Sequence, residues 1–339
     1  MKAKRKMKLT DTSLLLLITV VVFFAMYIGA ILFQGKGFLK PQTFFNILNA
    51  NAALIIIGMS LVMITGGIDI SVGGVVALVS MCCAVYLDYH GGNIFGAIGI
   101  SLLIGLGFGL VQGYLVAYLD IQPFIVSLAG MFFARGMTTI VNTNPFNVAN
   151  EQFVALKDTR ITIPGMGSVN KLGNYVNAYI EIGVVVALLV VILLFCVLRF
   201  TKFGRKFYAV GGNSQSALML GINVKRTKFF AYLICSVLAG IGGFVYFMHV
   251  GSGSASHASG MEMNAIASSI IGGTMLTGGV GNIIGTFFGV LSLSTIQNIV
   301  SSAGLDQAWW TGITIAAMLC LFLVVQSIVM SRKKKLSKG

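Results

Sequence analysis

Apolar runs of roughly 20 residues recur along the whole chain, and they leave it few ways to fold. Ser13 to Phe33, Ile94 to Tyr118, Pro123 to Val141, Tyr179 to Phe200, Phe229 to Val250 and Trp309 to Met330 can each cross a bilayer as a helix. Inside lipid every backbone N–H and C=O needs a partner within the protein, so these runs fold as a helical bundle. The composition agrees, with 57% hydrophobic and 9% charged residues in 339. Two further apolar stretches are interrupted. One is a helix from Ala52 to Ile64 with a second running out to Leu87; the other comprises Met263 to Leu276 and Ile283 to Val300. The expectation is an all-α polytopic membrane protein with about ten transmembrane helices, including two Gly-broken pairs. A count of about eight, with the broken pairs re-entrant, satisfies the same rules.

A net charge of +14 would suit a nucleic-acid binder, but here the cations flank the apolar runs. They cluster before Leu9, between Arg199 and Lys228, and in a tail of Arg332, Lys333, Lys334, Lys335 and Lys338. By the positive-inside rule all three clusters face the cytosol. The chain then reads as one transmembrane domain, 1–339. It has a basic cytosolic N-terminus (1–12), an external loop (142–177), a cytosolic segment (201–228) and a basic cytosolic tail (331–339). The first apolar run has no small-residue cleavage site and is read as an uncleaved helix. The five cysteines lie in apolar runs without metal or redox spacing and are read as packing residues.

Met63 to Leu78, MITGGIDISVGGVVAL, carries the most unusual chemistry. Glycine pairs on both sides of Asp69 and Ser71 break the helix and free backbone polar groups. Asp69 either hydrogen-bonds a polar solute on its path or holds the broken backbone by accepting N–H groups. The start of this stretch is echoed at a constant offset: Met63-Ile-Thr-Gly-Gly-Ile against Met275-Leu-Thr-Gly-Gly-Val, with Gly281 in place of Asp69. Such repeats with short Gly-interrupted segments mark solute sites in transporters. Arg135 lies on the order of 9 Å inside its helix end. It either snorkels to the interface or pairs with Asp69 or Glu262. Glu262 and Asn264 open the second broken pair and are candidates for an outer vestibule. The candidate path is therefore Asp69, Ser71, Arg135, Glu262 and Asn264. Gln112 and Gln297 read as helix–helix hydrogen-bonding amides. Phe132-Phe133 and Phe287-Phe288 read as packing.

Thr201 to Lys228 contains no acid. Asn213 is a good N-cap and Gly221 a good C-terminal stop, which predicts a short helix over Ser214 to Leu220. Leu218, Met219 and Leu220 would be exposed unless a partner, or the membrane surface, covers them. This segment resembles the coupling helix of ABC importer permeases, with Ser216-Ala217 and Gly221 in the spacing of that family's core motif. The family's Glu and distal Leu-Pro are absent. That departure, with GGIDISVGG (66–74), SLAGMFFARG (127–136), YAVGGN (208–213) and AIASSIIGGTMLTGGVGNIIGTFFGVL (265–291), resembles the ribose/galactofuranose/fructose-type monosaccharide subgroup.

The resemblance implies a permease subunit of an ATP-driven monosaccharide importer in a bacterial cytoplasmic (inner) membrane. Its implied partners are an ATP-binding cassette subunit, a second homologous permease or a copy of itself, an extracytoplasmic sugar-binding protein and membrane lipid, with no nucleic acid. The implied contacts with the ATPase are Asn213, Ser216, Ala217, Leu218, Leu220 and Gly221. ATP and Mg would be bound by that partner, since the chain has no phosphate-binding G-x-x-x-x-G-K-[ST] loop and no metal-ligand spacing. An ion-coupled secondary sugar transporter would need several intramembrane acids, and Asp69 is the one deep in a span. A membrane-embedded enzyme would need a catalytic cluster of His, Asp, Glu or Ser–Lys, and the sequence offers none.

Overall fold

Each apolar run of the sequence contains a helix, in the expected order, although residues 179–181 belong to a strand and residues 272–276 are irregular. The computed structural model describes residues 11–58, 61–169, 174–305 and 307–336. The first half contains α1 (Asp11–Gln34), α2 (Pro41–Ile57), α3 (Leu61–Ile64), α4 (Val72–Asp88), α5 (Ile94–Ala117) and α6 (Pro123–Val141). A connecting region follows: β1 (Phe146–Asn147), α7 (Glu151–Lys157), β2 (Arg160–Val169) and β3 (Tyr175–Glu181). The second half contains α8 (Ile182–Phe200), α9 (Lys202–Gly212), α10 (Ser214–Met219), α11 (Val224–Val250), β4 (Ser252–Gly253), α12 (Met261–Ile271), α13 (Ile283–Ser302) and α14 (Ala308–Leu336). Among the described residues, 7 helices are long and apolar enough to cross a membrane. The remaining apolar helices, α2, α4 and α12, are shorter, at 17, 17 and 11 residues. The polytopic helical architecture is as expected, but seven of the expected ten spans are identified by length and composition, and of the three shorter helices α4 alone is comparably apolar.

The centre of the bundle is α11, which packs on α2, α4 and α5. Its contact with α5 is backbone to backbone. A methyl group on Gly105 would lie 2.7 Å from the Ser236 carbonyl oxygen, and one on Gly109 2.8 Å from the Leu233 Cα. Small residues allow this approach, which gains dispersion contacts that lipid cannot supply. Gly99 and Gly107 of α5 face open space instead. Exposed Leu, Phe and Val side chains on α1, α5, α6 and α14 form the outer surface that a bilayer would cover.

Several boundaries differ from the sequence expectation. The first broken helix begins at Pro41, not Ala52, because proline at the first helical position starts a helix well. Residues 41–51 are thus its first turns. Likewise α11 starts at Val224 rather than Phe229, with the Asn223 side chain accepting from the Arg226 N–H at 2.9 Å. Residues 202–212, expected only as part of the acid-free cytosolic segment, form the amphipathic helix α9. The basic C-terminal stretch is not a separate tail up to Leu336, since α14 continues through it. The N-terminal cations and Lys338 lie outside the described residues. Cys83 and Cys235 are buried and Cys82 is half-buried, but Cys196 and Cys320 are exposed and do not pack within this chain.

Residues 142–169 and 174–181 form a cap over one end of the bundle. Strands β2 and β3 pair antiparallel with a register shift between Ile163 and Gly167. Asn150 caps α7. Phe153 of α7 is fully buried and stacks on Phe247 at 4.3 Å between ring centroids. At the same end β1 pairs with β4, tying this cap to residues 251–260. The opposite end carries α9 and α10.

Candidate functional site

A helix that stops inside a bundle leaves carbonyls without partners, and each orphan there is costly. Side chains from neighbouring helices satisfy the broken ends. Ser269 donates to the Gly58 carbonyl at 2.7 Å, at the end of α2. Thr19 of α1 donates to the Ile271 carbonyl, and Gln326 of α14 to the Ile270 carbonyl, both at 2.7 Å, at the end of α12. Sequence reasoning missed these three residues. Thr19 and Gln326 were visible as lone polar residues inside apolar runs.

Between α3 and α4 the chain is irregular, and Asp69 organises it. Its Oδ1 accepts the Ser71 N–H at 2.9 Å and the Ser71 hydroxyl at 2.6 Å. The Gln112 amide of α5 donates to the Ser71 oxygen at 2.9 Å, the interhelical role expected of that glutamine. On the other side Tyr232 of α11 donates to the Ile68 carbonyl at 3.3 Å. Asp69 is 7% exposed and Ser71 1%. The cavity beside Asp69, lined in part by Val62, Cys235 and Ala265, has about 10 Å³, room for about one water. Asp69 thus accepts one backbone N–H beside the broken helix through Oδ1, while its buried Oδ2 has no hydrogen-bond partner within the chain.

Arg135 of α6 pairs with Glu262, at 3.9 Å, and not with Asp69. Its two terminal nitrogens also donate to the His257 and Ala258 carbonyls, at 2.5 and 2.8 Å. The planar guanidinium suits such a fork. Residue 258 is strained, a non-glycine at φ 53°. Glu262, 9% exposed, sits in the first turn of α12 against Gly73 of α4, where a methyl group would overlap its carboxylate. Asn264 is half-buried on the same helix. Four of the five candidate path residues therefore form two separate pairs, Asp69 with Ser71 and Arg135 with Glu262, and Asn264 joins neither through a side-chain hydrogen bond or ion pair. Burial lowers the pKa of His257, in the 251–260 connector, below its usual value. Phe132 and Phe133, expected to pack, are 64% and 61% exposed, with α5 and α6 enclosing an apolar groove beside Phe133 of about 700 Å³.

At the opposite end α10 has the geometry its sequence predicts. The Asn213 side chain accepts from the Ser216 N–H at 2.9 Å, and Gly221 adopts φ 77° after the last turn. Ala217 is buried, while Leu218, Met219 and Leu220 are 58%, 87% and 79% exposed. Beside them an open cavity of about 650 Å³ is lined by Ser214, Leu218, Gly221, Lys225 and Lys228. Asp120 also lines this cavity, and apolar side chains beside charges of both signs suit a protein partner with an apolar, charged surface. Among the described residues no group of acids, histidines and cysteines is arranged to hold a metal.

The comparisons with known proteins agree in kind. The family described as branched-chain amino acid transport system / permease component matches residues 43–323. An inner membrane ABC transporter permease protein, YjfF of Escherichia coli, is 36% identical over 92% of this chain and 91% of its own. The fructose import permease FruG of Bifidobacterium longum is 36% identical over 97% and 95%. The ribose import permease RbsC of Escherichia coli is 31% identical over 86% and 87%. No solved structure matches the chain.

Proposed function

We propose, from the premise that this chain belongs to the branched-chain amino acid transport system permease family, that it is the membrane subunit of an ATP-driven monosaccharide importer. The relatives named for a solute, FruG and RbsC, are sugar permeases, and this supports sugar over amino acid. The observation that carries the reading is α10: a capped helix whose exposed leucines and methionine have no cover within the chain. A soluble ATP-binding cassette subunit is the occupant this surface fits, and it would bind the ATP and Mg that this chain has no loop to hold.

In this reading the α9–α10 end is cytosolic, with both chain termini, as the basic residues of α9 and α11 favour. The β2–β3 cap and residues 251–260 face outward toward a sugar-binding protein. A second permease, homologous or identical, completes the path, and the bacterial inner membrane is its location. Asp69, Ser71, Arg135, Glu262 and Asn264 line or control the path. The Asp69–Ser71 pair acts at its closed centre and the Arg135–Glu262 pair, with Asn264 on the same helix as Glu262, at its outer mouth.

The test is reconstitution of the permease in liposomes with its ATPase and binding protein. Uptake of radiolabelled ribose, fructose or galactose that requires ATP is the expected result. Uptake driven by a proton or sodium gradient without ATP would replace this reading with the secondary-transporter alternative.

A further inference from the structure

The two echoed sequences, 63–68 and 275–280, meet in the fold, and the end of α9 is wedged between them. The Gly279 N–H donates to the Ile64 carbonyl at 2.9 Å. A methyl group on Gly278 would lie 2.7 Å from the Gly66 nitrogen and 3.0 Å from the Gly211 oxygen. One on Gly279 would lie 2.7 Å from the Gly212 Cα. One on Gly211 would overlap the Ile64 carbonyl oxygen and approach the Gly279 nitrogen to 2.6 Å. Three backbones thus touch with no side chain between them. Gly66, Gly278 and Gly279 have φ of 83°, 81° and 75°, so their turns need glycine in any case. Gly211 lies inside α9 without positive φ, so contact alone explains why it is glycine.

A second tie lies nearby on the same helix. The Tyr208 hydroxyl donates to the Gly281 carbonyl at 3.1 Å. On the other side of Gly211, Asn213 caps α10. The path from the exposed face of α10 to both broken turns is therefore a few backbone units long. It leads to Ile64, which precedes the Asp69–Ser71 segment, and to Gly279, which precedes α13. Side chains absorb small displacements by changing rotamer; backbone in contact with backbone cannot.

Resting on the permease reading, we propose that Gly211 is a positioning residue: the joint through which movement of α9 and α10 displaces both glycine-broken turns together. The adjacent glycine supplies an internal control. A methyl group on Gly212 would meet nothing within 4 Å.

The experiment uses the complete reconstituted complex, with ATP hydrolysis and uptake of radiolabelled ribose, fructose and galactose measured side by side. Gly211→Ala is expected to assemble and hydrolyse ATP, with sugar moved per ATP falling about tenfold or more. Gly212→Ala is expected to stay within about twofold of the unsubstituted complex. Tyr208→Phe keeps the ring, loses the tie and is expected to lower the same ratio about fivefold. A purely structural role for Gly211 would instead lower assembly and both activities together. An unchanged ratio in Gly211→Ala, or equal loss in Gly212→Ala, overturns the proposal. If Gly211→Ala does not assemble, Tyr208→Phe decides, and an unchanged ratio there overturns it. Absence of ATP-driven uptake by the unsubstituted complex would instead remove the permease reading on which the proposal stands.

Discussion

The Ser71 hydroxyl lies 2.6 Å from the Asp69 carboxylate and also bonds Gln112 of the neighbouring helix. Asp69 thus closes a turn on Ser71, and Ser71 carries the link to the neighbouring helix. Asp69→Ala leaves the Ser71 N–H without its acceptor and is expected to cost about 1–3 kcal/mol. Asp69→Asn keeps an oxygen at Oδ1 and is expected to melt close to the unsubstituted protein, while transport falls more than assembly does. Melting temperatures in detergent check the first point. Equal destabilisation by Ala and Asn would show that the Oδ1 hydrogen bonds are not what Asp69 contributes.

Arg135 fastens α6 to residues 257 and 258 through two carbonyls and to α12 through Glu262. A lysine can reach one of these groups but cannot present a planar fork to both carbonyls. Arg135→Lys is expected to loosen residues 251–260 partially, and Arg135→Ala to do so fully at a cost of about 2–3 kcal/mol. Limited proteolysis within 251–260 should rank the variants Ala, Lys, Arg from fastest to slowest. Identical cleavage rates would mean the guanidinium does not hold this connector.

Much of this architecture is written in local signals. The Asn213 cap, the Gly221 stop and the glycine breaks around Asp69 depend on a few adjacent residues, and each stands where the sequence places it. What was hidden depends on partners far along the chain. Thr19 and Gln326 reveal their purpose only when α1 and α14 lie beside the end of α12. Arg135 had two candidate acids, and only packing selects Glu262. The amphipathic α9 was missed because its short run of basic and aromatic residues sits between glycines, which argue against helix locally. Tertiary contact with α8 and α11 overrides that preference.

His257 gives the 251–260 connector a pH dependence. Burial lowers its pKa from the ordinary value of 6.5. The unfolded chain therefore binds a proton first as pH falls, so stability is fully present above about 6.5 and declines below it toward the folded-state value. His257→Gln keeps a polar side chain beside Ser80 and removes the titration. Melting temperature measured from pH 7.5 to 5.5 should fall less in the variant, and the difference between the two curves belongs to His257. Parallel curves would show that His257 stays accessible to protons in the fold.

The exposed face of α10 separates folding from partnership. Leu218 and Leu220 project outward, whereas Ala217 on the same helix is buried. Leu218→Glu and Leu220→Glu should therefore change the permease's own stability by no more than about 0.5 kcal/mol, as surface substitutions do. Ala217→Glu, which forces a charge into the contact with the bundle, should destabilise it severely. If the ATPase covers this face, each Leu→Glu change desolvates a carboxylate at the interface and weakens assembly by about tenfold or more. Gly221→Ala tests the helix end itself, since an alanine held at φ 77° is strained by about 1 kcal/mol. Co-purification of the ATPase with each variant, beside melting temperature of the permease alone, reads both effects. Should both Leu→Glu variants retain the ATPase and transport normally, the coupling surface lies elsewhere on the chain, and the exposed leucines of α10 face only water or lipid headgroups.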